Sequence, residues 1–376
     1  MKVVIAIDSF KGSMTSIQGG NAAKAGILNA VPDAEVVVKP LADGGEGTVE
    51  ALVEGLNGTY ETTEVTGPLG GQVTARYGIM EDKETAIMEM AEASGIILVN
   101  RNDLDPWKAS TAGVGQMIAD AIKKGCRKFI IGIGGSATTE GGIGMLTALG
   151  YEFYDENGVL LPPVFESLSK VARISGENVI PELKNCFFRI ACDVTNPLCG
   201  ENGAVYVYGP QKGVKPEERQ PMDEMMAVYA KAAAIYAGTD YSTMPGAGAA
   251  GGLGFAFRTF FPNVELRSGI EIVLDAIRLE EELSDADVVV TGEGRLDGQT
   301  ANGKVPVGVA RLAKKYGCKV VAFAGSVTDD AGPCNAAGID AFFPILRGIC
   351  TLDEAMDPAT AKKNMSLTAE QVFRLL

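Results

Sequence analysis

The chain has 376 residues, 46% hydrophobic and 22% charged, which is the profile of a soluble globular protein with two ordinary domains and leaves no room for long disorder. Its net charge of −15 repels polyanions, so nucleic acid and anionic membranes are excluded as partners, and a small anionic substrate needs local cations or Mg²⁺ to approach. Histidine is absent, which rules out Ser-His and Cys-His nucleophiles and His-ligated metals and leaves general-base work to Asp, Glu, Lys or Tyr.

Residues 2–7 are a β-branched run that predicts a buried strand. It ends in Asp8-Ser9-Phe10-Lys11-Gly12-Ser13, and a helical pattern follows over about 15–30. A second strand over 35–39 runs into Leu41-Ala42-Asp43-Gly44-Gly45-Glu46-Gly47-Thr48, ahead of a helix over about 46–56. Alternation then takes over from 59 to 80 around Gly67-Pro68-Leu69-Gly70-Gly71, which predicts an antiparallel hairpin and a domain border near residue 60. Strands are expected over 85–93, 129–133, 151–154, 189–193 and 204–208, with helices over 111–124 and 215–238, the latter opened by Pro216. A helix over 270–283 precedes a strand over 287–290 that ends in Gly292-Glu293-Gly294-Arg295-Leu296-Asp297. A helix over 303–316 and strands over 319–324 and 341–345 complete the set.

Two early and three late strands suit a flavodoxin-like parallel sheet of order 2-1-3-4-5. The fold class is therefore α/β: residues 1–60 with 285–376 form a flavodoxin-like domain built from both chain ends, and 61–284 form an inserted mixed α/β domain. An interdomain cleft is expected to close over the substrate. No apolar run approaches the roughly eighteen residues of a membrane span, and Met1 to Ile7 is too short and too soon followed by Asp8 for a signal peptide. Seven cysteines, odd in number and without a C-x-x-C pair, point to reduced thiols in a cytoplasmic protein. A homo-oligomer is left open.

The stretch over 129–150, FIIGIGGSATTEGGIGMLTALG, passes from an apolar strand through a glycine-rich loop into a helix. Amide and helix dipoles add at such a place, so it reads as a site for phosphate or carboxylate oxygen. Gly132-x-Gly134-x-x-Ala137 also matches a dinucleotide fingerprint, but the acid at nearly the right spacing, Asp155, falls in a hairpin turn, and phosphate binding is favoured. No G-x-x-x-x-G-K-[ST] occurs. The second glycine run, over 246–254, follows no strand and reads first as close packing or a hinge, with ligand approach second.

Acids recur at strand ends, where open α/β sheets place their ligands: Asp8 with Lys11, Asp43 with Glu46, and Glu293 with Arg295 and Asp297. Unpaired buried carboxylates are costly, so three acidic corners on one sheet edge are hard to ascribe to packing. Asp193, heading Asn196-Pro197-Leu198, is a fourth such acid and equally suits an Asx turn. Acids without histidine suit Mg²⁺, held through one or two carboxylates and substrate phosphates.

Taken together these corners resemble the glycerate kinase family, the bacterial type with a flavodoxin-like domain. The resemblance is carried by Asp8 to Ser13, Ala42 to Thr48, Gly134-Gly135-Ser136-Ala137-Thr138, Cys192-Asp193-Val194 through Leu198, and Gly209-Pro210-Gln211-Lys212-Gly213, and is extended by 246–254 and 291–300. Residue 7 is Ile where the family commonly has Pro, and Ser110-Thr111-Ala112-Gly113 is less typical of it. The resemblance implies ATP-dependent phosphorylation of D-glycerate, usually to 2-phosphoglycerate, with ATP and Mg²⁺ as cofactors and small molecules as partners. On this view Lys11 stabilises the transferring phosphoryl group, Arg295 clamps the substrate carboxylate, and Asp193 or Asp297 is the base. Asp8, Ser9, Asp43 and Glu46 would bind substrate, and Gly134, Gly135, Ser136, Thr138 and Thr139 would cradle phosphate. Asp193 and Glu293 would hold the metal. The rival readings are an NAD-dependent hydroxyacid dehydrogenase and a non-enzymatic small-anion sensor.

Overall fold

The run of Val and Ile that opens the chain forms the strand Lys2–Ile7, buried from Val3 onward, as a strand covered on both faces must be. It is an internal strand, one in from the edge, of a five-stranded parallel sheet in the order Ala341–Pro344, Lys319–Val327, Val288–Leu296, Lys2–Ile7, Glu35–Pro40. Numbered along the chain that order is 2-1-3-4-5, one of the two common doubly wound arrangements. The computed structural model describes residues 1–43 and 47–376. The chain divides into two units, Met1–Gly58 with Ile270–Leu376, and Thr59–Gly269.

In the first unit the helix Ser16–Ala30 starts at Thr15, which forms a capping box with Gln18. It packs on the helix Pro358–Phe373, which the sequence pattern did not single out. The two backbones approach so closely at Gly26 that a β-carbon there would lie 2.0 Å from the Ser366 carbonyl oxygen. Any side chain at this position would force the helices apart.

Two expectations are corrected in this unit. The strand expected to stop at Val290 continues through Gly292, Glu293 and Arg295 to Leu296, because Lys319–Val327 is long enough to pair with all of it, Leu296 facing Val327. The turn therefore begins at Asp297. The helix expected over 270–283 is two, Gly269–Ala276 and Leu279–Leu283, broken where Arg278 takes φ 52°. The second of these is tied to the sheet by the Tyr316 hydroxyl donating to Glu280, the Cys318 thiol donating to the Leu283 carbonyl, and the Lys39–Glu282 ion pair. The unit border consequently falls after Gly269 and not at 284.

The second unit holds a six-stranded sheet in the order Val264–Arg267, Phe187–Ala191, Lys128–Gly132, Thr85–Glu89, Gln72–Ile79, Thr59–Thr66. The first four strands are parallel, and the last two form the antiparallel hairpin read from the alternation. Its core includes Phe129 stacked on Phe188 at 4.7 Å and the buried Tyr229 and Phe257. The strand expected over 85–93 ends at Glu89, where a helical turn Ala91–Ser94 takes over. The segment Ala204–Tyr208 is helical, although AVYVY has strong strand propensity. Ala204 donates to the Leu198 carbonyl and Val207 to that of Gly203, so local closure wins over strand propensity.

Candidate functional site

In the first unit the acids gather where the parallel strands end, because every strand delivers its carboxyl end to the same edge. Asp8 follows Lys2–Ile7 directly, and its own N–H donates to the Gly292 carbonyl, which sets it beside Glu293 on the neighbouring strand. Buried Ser16 ties two of these ends together: its hydroxyl donates to the Ile7 carbonyl and accepts the Leu41 N–H, both at 2.8 Å. Asp8 and Asp43 thus leave strands that are fixed relative to each other. Sequence reasoning passed over Ser16, which looked like an ordinary helix residue.

Burial pushes the Asp8 carboxyl up to about 7, and the negative charges of Asp43 and Glu293 add to the effect, while the Ser9 N–H and Lys11 oppose it. Its oxygen accepts the Ser9 N–H at 2.6 Å. Burial likewise raises Glu293, with Asp297 and Asp43 adding to it and the Thr300 hydroxyl, which donates at 2.5 Å, and Lys304 opposing it. Asp297 differs. Partial burial acts to raise it, but Lys304 and the Gln299 and Thr300 N–H groups outweigh that and hold it below its ordinary range. Asp297 is held in its own turn and ion-paired with Lys304 and Arg295 at 3.5 and 3.7 Å. Lys11 and Arg295 are exposed, and Ser9 is half-buried. Glu46 lies outside the described residues, as do Gly44 and Gly45.

In the second unit the glycine-rich loop follows the strand Lys128–Gly132, but its amides are used differently from the expectation. The following helix is short, Ile143–Ala148, and its first N–H groups are already taken. Fully buried Glu140 accepts from Gly142 at 3.2 Å, from Gly144 at 3.1 Å, and from the Thr111 N–H and hydroxyl at 2.7 and 2.5 Å. Thr111 in turn accepts from Met145. The chain thus supplies its own anion at this helix start. Thr138 and Thr139 are also fully buried, their hydroxyls lacking a protein partner, so they do not face solvent as a phosphate cradle would. What the loop does present is the exposed Gly134 and Gly135 with Ser136 at 6% exposure.

That turn is held from two sides. Ile96 donates to the Gly135 carbonyl and Ala137 to that of Ser94, while buried Lys212 donates to Ser136 Oγ at 2.6 Å and to the Thr138 carbonyl at 2.5 Å. Burial pushes the Lys212 ammonium down to about 7, with Glu140 opposing. The second glycine run packs behind the loop. Gly251 takes φ 68°, and a β-carbon on it would meet the Thr138 carbonyl oxygen at 2.1 Å, so close packing is its role. Glu140, Thr111 and Lys212 were quoted in sequence motifs without a role, since nothing in a linear reading distinguishes a buried acid or lysine from a solvated one.

Asp193 follows Phe187–Ala191 and accepts the Gly269 N–H at 3.0 Å. It belongs to the second unit and Glu293 to the first, and among the described residues no group of three or more cysteine or carboxylate side chains is arranged to hold a metal ion. Asp155 follows the short strand Glu152–Tyr154, which pairs antiparallel with Arg173–Ser175 outside the six-stranded sheet, and accepts from Asn157 and Val159 within its own turn, so it does not close a parallel strand as the acid of a dinucleotide site does.

A family model described as the glycerate kinase family matches residues 3–376. A protein of Escherichia coli (strain K12) named glycerate 2-kinase is 46% identical over 98% of this chain and 98% of its own length. A glycerate kinase of Haemophilus influenzae is 42% identical over 100% of this chain and 99% of its own. A crystal structure from Salmonella typhimurium LT2, assigned as a glycerate kinase 2, superposes with a TM-score of 0.91 at 44% identity, covering 99% of this chain and 97% of that one.

Proposed function

The chain belongs to the glycerate kinase family, and from that membership we propose that it transfers the γ-phosphoryl group of ATP to the 2-hydroxyl of D-glycerate, giving 2-phosphoglycerate. The observation that carries the reading is the Asp8, Lys11, Glu293 corner at the carboxyl edge of the parallel sheet, where an acid able to take a proton near neutral pH stands beside a cation. Phosphoryl transfer asks for little else than positioning and charge stabilisation. Asp8 accepts the proton of the attacking hydroxyl, a role for which its pKa near 7 suits it better than that of Asp297. Lys11 neutralises charge on the moving phosphoryl group, and exposed Arg295 takes the substrate carboxylate as a two-pronged donor.

The exposed Gly134 to Ser136 turn binds phosphate oxygen through its amides and the serine hydroxyl. The flavodoxin-like sheet order of the first unit supplies the strand ends that carry Asp8, Lys11 and Glu293. Mg²⁺, which suits an all-oxygen donor set, would be held through ATP phosphates with one carboxylate such as Glu293 or Asp193. When bound it neutralises charge on the triphosphate. A cytoplasmic site of action fits both substrates.

The test is incubation with ATP, Mg²⁺ and D-glycerate, followed by phosphorus NMR of the product. The expected product carries phosphate on carbon 2. Phosphate on carbon 3 overturns the regiochemistry, and no consumption of ATP overturns the kinase.

A further inference from the structure

Lys212 sits in the 3-10 turn Pro210–Lys212 at 1% exposure, where a lysine is almost never found without a compensating partner. Among the described residues the acid that acts on it is Glu140, which spends its oxygens on Thr111, Gly142 and Gly144. The ammonium instead gives its protons to the glycine loop, to Ser136 Oγ and the Thr138 carbonyl. A buried cation so placed is destabilising, and a methionine would fill much the same space without that penalty. The cost is offset when an anion settles on the other side of the loop.

In its ammonium form Lys212 only donates, so Ser136 Oγ then accepts the 2.6 Å bond and its own proton points elsewhere. Ser136 keeps a little exposed surface beside exposed Gly134 and Gly135, whereas Thr138, Thr139 and Glu140 have none. We propose that Lys212 is a positioning residue for ATP: it fixes the Gly134 to Ser136 turn from beneath, turns the Ser136 hydroxyl outward as a donor to a phosphate oxygen, and places a positive charge under that oxygen. The inference rests on the reading of this turn as the phosphate-binding one.

The test is Lys212→Met in the full-length enzyme, with ATP and D-glycerate varied separately and Tm recorded. The expected result is a KM for ATP raised about tenfold or more, a KM for glycerate essentially unchanged, and a Tm equal to or above wild type. A KM for ATP that stays at the wild-type value, or both KM values rising together with a fallen Tm, overturns the proposal, since a merely structural lysine would behave so. Ser136→Ala covers the case in which Lys212→Met does not fold, because it removes the acceptor oxygen and leaves the lysine; its KM for ATP should also rise, and an unchanged value overturns the proposal. Gly134→Val separates the two layers of reasoning, because a β-carbon at Gly134 meets nothing within 4 Å and folding is spared. If Gly134→Val leaves ATP binding intact, the phosphate-binding turn itself is refuted. If it weakens ATP binding and Lys212→Met does not, the lysine proposal alone falls.

Discussion

Asp8→Asn should make the protein more stable in alkali while disabling it. In the folded chain the Asp8 carboxyl moves from an ordinary 3.8 up to about 7, with burial the main cause and Asp43 and Glu293 the next. Between those two values the folded state binds more protons here than the unfolded state does. Stability from this group is therefore complete below the lower value and is lost as pH rises through the upper one. At about 1.4 kcal/mol per decade, the full interval costs roughly 4 kcal/mol above pH 7. The isoelectric point near 4.6 makes the lower part of that range unsuitable for soluble protein, so the measurement runs from about pH 5.5 to about pH 8.5, where roughly 2 kcal/mol remains to be seen. Urea unfolding followed by circular dichroism, for wild type and variant in parallel, reads it directly. The stability of Asp8→Asn relative to wild type should rise by that amount across the range, while kcat falls by roughly 10² to 10⁴ for a lost base. A stability difference that does not change with pH refutes the claim that Asp8 titrates near neutrality. Wild-type kcat in the variant refutes its role as base.

Lys11→Met should lower turnover by about two orders of magnitude or more with Tm unchanged, since the side chain is exposed; undiminished turnover removes Lys11 from the mechanism. Thr300→Val deletes the hydroxyl that stabilises ionised Glu293, so the acidic limb of kcat/KM should move to higher pH, and an unmoved limb shows that Glu293 does not limit the reaction. Gly251→Ala combines a positive φ with a 2.1 Å approach to the Thr138 carbonyl and should cost about 1–3 kcal/mol by thermal or urea unfolding; a neutral variant means the glycine run is not packed against the loop. Removal of divalent cations with EDTA should abolish turnover, with recovery on adding Mg²⁺; activity that survives chelation excludes the metal.

The strands Lys2–Ile7, Glu35–Pro40 and Val288–Leu296 were legible because each holds a run rich in Val and Ile that leads into glycine and acid. Periodicity told less where a strand outlasts its apolar run. Val288–Leu296 carries Gly292, Glu293 and Arg295 inside it, and only the length of its neighbour keeps them extended. Ala204–Tyr208 misled for the opposite reason, since its residues favour a strand while the chain closes locally, Ala204 onto Leu198 and Val207 onto Gly203. At the site, the positions of Asp8, Asp43 and Glu293 followed from topology. The role of Glu140 did not, because an acid inside a phosphate-like loop looks the same in sequence whether it repels a ligand or replaces one. Lys212 was hidden likewise, as its burial is set by residues more than seventy positions away.

The internal position of Lys2–Ile7, with a neighbour on each side, has a consequence for synthesis. One of its two neighbours, Val288–Leu296, and the helix that covers Ser16–Ala30, Pro358–Phe373, leave the ribosome only after some three hundred further residues have been made. The first unit must therefore wait, its nascent hydrophobic strand unpaired on one side, while the contiguous segment Thr59–Gly269 is free to fold alone. Chaperone demand in the cell should fall on that waiting N-terminal segment.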